Sequence, residues 1–177
     1  MSAGFSRPGP GEHAEYYGRY VELVPDGSIV DTLIDQLGDT LRLLQEVPPE
    51  RETFRYAPGK WSIRDVVGHL IDTERVMSYR ALSMARADGV DLPGMDQDEW
   101  ARRSNAGSRA LADLSSEWAS LRRATVHLFA TLDADVALRR GRASGYEFTV
   151  RSFPWIIAGH ELWHRRGLAR DYLGRDA

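Results

Sequence analysis

The chain has 177 residues, 42% of them hydrophobic and 28% charged, the balance of an ordinary globular domain with one well-buried core. A net charge of −3, with 26 acids against 23 bases, gives no basic excess and argues against a nucleic-acid partner. The chain contains no cysteine, which excludes disulfides, Cys-based metal sites and a Cys nucleophile.

Residues 1–15, which open MSAGFSRPGPGEH, carry no apolar signal-peptide stretch and read as a flexible tail; 16–177 reads as a single domain. No apolar run approaches the ~20 residues needed to cross a bilayer. A cytoplasmic protein with no membrane partner is therefore expected. The aromatic segment from Tyr16 to Val24 is expected to strap across the body in extended form. After the Ser28 cap, Ile29, Leu33, Leu37, Leu41 and Leu44 repeat at helical spacing, and Pro48-Pro49 closes the run. A second helix opens at Ser62, with Asp65 near its positive end and a stripe from Ile63 through Leu70 to Met84. It dissolves at Asp88-Gly89. A third helix follows Asn105–Ser108 and carries Leu111, Leu114, Trp118 and Leu128. The fourth begins near Pro154, where a proline is tolerated in a first turn, and runs through Ile156, Ile157, Leu162 and Leu168.

No pair of alternating apolar runs is joined by Asn-Gly or Asp-Gly, so no sheet is expected. Four amphipathic helices predict an all-α, four-helix bundle with long interhelical loops. The longest loop, Asp88 to Ser108, is of a length that often lines a site. Paired arginines such as Arg102-Arg103 and Arg165-Arg166 are spread along the chain and read as solvated surface.

The chemistry concentrates in histidine. His160 and His164 are four apart, so they share one helix face, and that face borders the stripe of Ile156, Ile157 and Leu168. A lone histidine on an apolar face is usually a packed core residue. Two desolvated imidazoles need partners, and His69, on the apolar border of the second helix, supplies a third ring. His127 and His13 have no such company. The letters His160-Glu161-x-x-His164 also spell the zinc-peptidase helix. The pattern then requires a third ligand, yet the position where metzincins carry it is Arg170, and none of the 13 residues after His164 is glutamate. A peptidase is excluded, and the third ligand falls to His69.

The run Pro58-Gly59-Lys60-Trp61-Ser62-Ile63-Arg64-Asp65-Val66-Val67-Gly68-His69-Leu70 resembles the central motif of the DinB/YfiT-like superfamily. Asp72-Thr73-Glu74-Arg75, Pro93–Asp98 and Ala158-Gly159-His160-Glu161-Leu162-Trp163-His164 resemble its other motifs, in order and over nearly the whole chain from Tyr16. The resemblance implies a bundle in an up-down-down-up arrangement, often a homodimer. It also implies a divalent metal, nickel or zinc, on three histidines that match His69, His160 and His164. Related activities include hydrolysis and thiol S-transfer to small-molecule substrates, the thiol being of low molecular weight, such as bacillithiol or mycothiol. Relatives often end the last motif in a His-His pair, where this chain has Trp163-His164.

The acids near these motifs are the candidates for proton transfer or for support of the ligands. Glu161 and Asp72 adjoin ligands in sequence. Asp65, one turn before His69, is placed to accept its second ring N–H, as ligating histidines require. Asp96 and Asp98 reach toward the pocket from the long loop. The alternative to an enzyme is a non-enzymatic metal-binding or stress-response protein of the same fold.

Overall fold

The structure, a computed structural model, describes residues 5–175. In chain order its helices are α1 (Gly18–Val21), α2 (Ile29–Gln45), α3 (Ile63–Arg86), α4 (Gln97–Arg103), α5 (Leu111–Ala130), α6 (Ala134–Ala137) and α7 (Ser152–Gly167). A wider π-helical turn, Leu168–Tyr172, prolongs α7. Ser28 caps α2 by accepting the Asp31 N–H at 3.3 Å. Ser62 and Asp65 form a reciprocal capping box on α3, satisfying two backbone donors that a helix start leaves free.

The bundle consists of α2, α3, α5 and α7. Both α2 and α3 pack against α5 and α7. Its core is divided into two apolar halves. Ile29, Leu33, Met77, Met84, Phe129, Phe153 and Ile156 belong to one. Leu44, Ile63, Val67, Leu70, Leu111, Leu114 and Leu168 belong to the other. Between them each helix contributes buried polar residues: Gln36 and Thr40 from α2, His69, Thr73 and Glu74 from α3, Arg122 from α5, His160 and Glu161 from α7. α2 and α7 cross this belt from the first half to the second, whereas α3 and α5 cross it in the opposite sense. That is the up-down-down-up order implied by the resemblance.

Several expectations are corrected. Among the described residues there is a small sheet, in which β1 (Asp91–Leu92) pairs parallel with β2 (Arg140–Ala143), and β2 pairs antiparallel with β3 (Tyr146–Thr149). Its hairpin turns on Ser144-Gly145, with φ of 54° and 82°, the two positive values that a type I′ turn demands. Serine in that first position hid the hairpin. The segment from Tyr16 to Val24 is helical through Val21 and then turns, rather than extended: a 3₁₀ turn, Glu15–Tyr17, leads into α1. The long loop contains α4, capped by Asp96.

The flexible tail is also corrected from Phe5 onward, while residues 1–4 lie outside the described residues. Phe5 is buried edge-on to Phe129, and its carbonyl accepts the Trp155 indole N–H at 2.9 Å. Glu12 is ion-paired to Arg151 and accepts the Thr149 hydroxyl at 2.9 Å. A phenylalanine on a polar, Gly- and Pro-rich run gives no periodicity, so only the packing reveals it.

Candidate metal centre

The site is built where α3 meets α7. α7 is buried along its whole first part, Ser152 to Leu162, so the imidazoles of His160 and His164 point into protein on one side. His69 approaches from α3. The His160 Nε2 lies 3.0 Å from the His69 Nε2 and 3.1 Å from the His164 Nε2. The three rings are the only group of three or more potential metal-ligating side chains that converges among the described residues, with all ligand atoms within 4.8 Å of one another. Nitrogens around a tetrahedral ion at ~2.0–2.1 Å stand about 3.3 Å apart, close to the spacing found.

Hydrogen bonding cannot satisfy this arrangement. A neutral imidazole nitrogen offers one lone pair or one N–H, so the His160 Nε2 can pair with one neighbour and not both. Burial pushes the His69 pKa down from 6.5 to about 3, and repulsion from His164 adds to the effect. Burial alone takes His164 to about 4. His160 falls well below 6.5, first through burial and then through the other two rings. The rings are therefore neutral, the form that ligates a metal. Three inward lone pairs are what one divalent cation would satisfy, so the residues fit the group.

Neighbours hold the rings in place. The Thr73 hydroxyl, one turn along α3, lies 3.4 Å from the His69 Nδ1; with the proton on Nδ1 donated to Thr73, Nε2 is left free for the site. The Trp61 ring lies against His69 at 4.7 Å between centroids, and Tyr20 meets His160 edge-on at 5.3 Å. Gly159 makes the second contact feasible. A Cβ there would overlap the Tyr20 carbonyl, so only glycine lets α1 cross α7 beside His160. Trp163 stands on the rim, edge-on to Tyr20, with the Arg19 guanidinium 5.4 Å from its ring.

The candidate acids are not part of the cluster. Glu161, 1% exposed, turns into the belt, where the Thr40 hydroxyl and Arg122 Nη1, the latter at 3.2 Å, donate to its carboxylate. Burial raises its pKa, and Arg122 opposes the rise. The Asp65 carboxylate is held by the Ser62 N–H at 2.9 Å and by Arg55 at 2.8 Å, so it does not orient His69. That role falls to Thr73, which an i, i+4 reading from His69 could have found. Asp72 is half-buried beside Arg75 and Glu117, and burial raises its pKa. Asp96 is spent on the Asp98 and Glu99 N–H groups that start α4. Asp98 does line a cleft with His164.

That cleft, about 580 Å³, is bordered by Trp61, Asp98, Trp163, His164 and Arg166. A second, of about 230 Å³, reaches His69 and His160 and is lined by Tyr17, Tyr20, Met77 and Arg80. The triad thus faces one cleft through His164 and the other through the remaining two rings. Neither His127, exposed on α5, nor His13 takes part.

A model described as the DinB superfamily matches residues 32–168 of this chain. The chain belongs to the DinB superfamily. A curated relative from Oceanobacillus iheyensis, named "putative metal-dependent hydrolase", is 33% identical over 73 residues, which cover 41% of this chain and 40% of that protein. This DinB-superfamily chain also superposes on YfiT from Bacillus subtilis with a TM-score of 0.71, covering 98% of this chain and 97% of that one. YfiT is described as a probable metal-dependent hydrolase with an unusual four-helix bundle topology. At 14% identity that likeness shows the fold. No helix among the described residues is long and apolar enough to cross a membrane.

Proposed function

We propose that the chain is a metal-dependent enzyme in which His69, His160 and His164 hold one divalent ion, nickel or zinc, open to a small-molecule substrate. The convergence of three Nε2 atoms with no carboxylate among them carries this reading. Such an ion lowers the pKa of a bound water toward ~7 or deprotonates a bound thiol. Thr73 keeps the His69 Nε2 available, while Trp61 and Tyr20 exclude bulk water from two sides of the rings. Glu161 is locked to Arg122 and moves no proton at the site.

Hydrolysis is the reading supported by the names of the relatives. S-transfer from a low-molecular-weight thiol is favoured by a separate observation: among the described residues no carboxylate joins the three histidines, and a thiol needs less help to ionise than water does. The larger cleft offers room for such a cosubstrate beside His164. The proposal includes the homodimer implied by the resemblance, and no nucleic-acid or membrane partner.

The test loads the protein with nickel or zinc and compares it with metal-free protein and the His160→Ala variant. One assay follows bacillithiol or mycothiol reacting with an electrophilic aryl halide, and another follows a panel of esters and amides in water. Metal-dependent turnover lost in His160→Ala supports the enzyme and chooses its nucleophile. The same rates with and without metal in every assay would return the protein to the non-enzymatic alternative.

A further inference from the structure

Arg80 is 2% exposed, yet among the described residues it faces no counter-charge. Its Nη2 donates to the Pro93 carbonyl at 2.9 Å and to the Ser144 hydroxyl at 3.0 Å, both uncharged. Its Nη1 has the Met77 sulfur at 3.9 Å, a weak acceptor, and the guanidinium also lies beside the Tyr17 hydroxyl, a neutral partner. Among the described residues no Asp or Glu oxygen comes within the 4.0 Å that defines an ion pair with it. Arg122, equally buried, lies between Glu74 and Glu161. A guanidinium cannot give up its proton, and a buried charge without a partner is costly, so Arg80 is a cation awaiting an anion.

Its position says where that anion belongs. Arg80 lines the smaller cleft together with His69 and His160. It follows His69 on the same helix by eleven residues, a rise of roughly 16 Å at Cα. Its side chain leans back toward the helix start, as the Met77 contact shows, and this shortens the span. Between the guanidinium and the histidines the wall is mostly apolar or aromatic: Met77, Met95, Ile156, Tyr17 and Tyr20.

We propose that Arg80 is an anion subsite that takes the carboxylate end of a substrate whose short apolar stem lies along this wall toward the histidines. The cleft's volume of about 230 Å³ suits a chain of a few carbons rather than a large ligand. The catalytic meaning of the subsite rests on the metal-dependent reading above; its affinity for a carboxylate does not.

The experiment therefore uses metal-free protein, with hexanoate and its neutral isostere hexanamide as calorimetric probes. Wild type is expected to bind hexanoate roughly tenfold or more tighter than hexanamide, the scale of a charge-assisted hydrogen bond. Arg80→Met is expected to remove that preference and leave hexanamide binding within about twofold, since the variant keeps an apolar stem of similar length. If Arg80→Met does not fold, the Arg80 Nε–H resonance of labelled wild type gives the answer without a variant: it shifts with hexanoate and not with hexanamide. Equal affinity for the two probes, a preference that survives in Arg80→Met, or an Nε–H indifferent to hexanoate would overturn the subsite. Metal content is measured on a separate sample, so a protein that prefers hexanoate but takes up no metal keeps the subsite and loses the proposed function.

Discussion

The polar belt across the bundle holds two buried clusters on neighbouring turns of the same helices, and they are built on opposite principles. In one, Arg122 donates to both Glu74 oxygens at 2.9 Å and to Glu161 at 3.2 Å, while Trp118 and Thr40 fill further acceptor positions. In the other, three imidazoles turn lone pairs toward a common centre with no donor to share among them. The first cluster is closed: charge meets charge, and every group has a partner. The second is open, and it alone lies beside both clefts. Adjacent residues divide between them. Thr73 supports the triad and Glu74 the ion pair; His160 points to the centre and Glu161 away from it. Burial and polarity alone therefore do not mark a reactive site. What marks it is a set of groups that cannot satisfy one another.

The comparison can be broken most severely at Arg122. Arg122→Met leaves Glu74 buried without its cation and Glu161 with only the Arg165 guanidinium at 3.9 Å, and unfolding in urea is expected to show a loss of about 3–5 kcal/mol. Metal bound per folded molecule should be unchanged, because Arg122 touches none of the three ligands. A loss below about 1 kcal/mol would mean that the closed cluster is not what holds the belt together. Thr73→Val should reverse the pattern. Stability should move by no more than about 1 kcal/mol, while metal affinity, read by competition with a chelator, falls roughly 10- to 100-fold. Unchanged affinity would remove Thr73 from the site.

A third ion pair sharpens the contrast from the mild end. Arg151 holds the Glu12 carboxyl down to about 2, from an ordinary 4.5, against the opposing effect of burial. Because the folded carboxyl is the stronger acid, its contribution is full above about 4.5 and is lost as pH falls from there through about 2. Amide protection in residues 5–14, taken relative to the intrinsic exchange rate at each pH, should fall across that window, and Glu12→Gln should show low protection at every pH. A segment equally protected at pH 5 and pH 2.5 would show that Phe5 and Trp155, rather than the ion pair, anchor it.

The convergence of the three histidines was largely legible in the sequence. The i, i+4 spacing of His160 and His164 places them on one face whatever the surroundings, and the apolar stripe around His69 places it inward. The four bundle helices were legible for the same reason, since a 3–4 apolar period survives in any packing. The acids were not. Glu161 follows a ligand and Asp65 precedes one by a turn, but a carboxylate's partner is chosen in three dimensions. An arginine 39 residues away from Glu161, and a serine cap beside Asp65, settled the matter. The hairpin escaped because Ser144 takes a positive φ usually left to Asn, Asp or Gly. Arg80 gave no signal at all, since its distinction is a counter-charge missing among the described residues.

The central claim is that the three histidines form one ion site shared between α3 and α7. Metal content measured by mass spectrometry on untagged, natively purified protein, with His69→Ala and His164→Ala alongside, tests it most directly. The account predicts about one nickel or zinc ion per chain in the wild type and its loss from both variants, although they draw on different helices. A wild-type chain that stays metal-free after incubation with both ions, or a His69→Ala protein that keeps its metal, would contradict it.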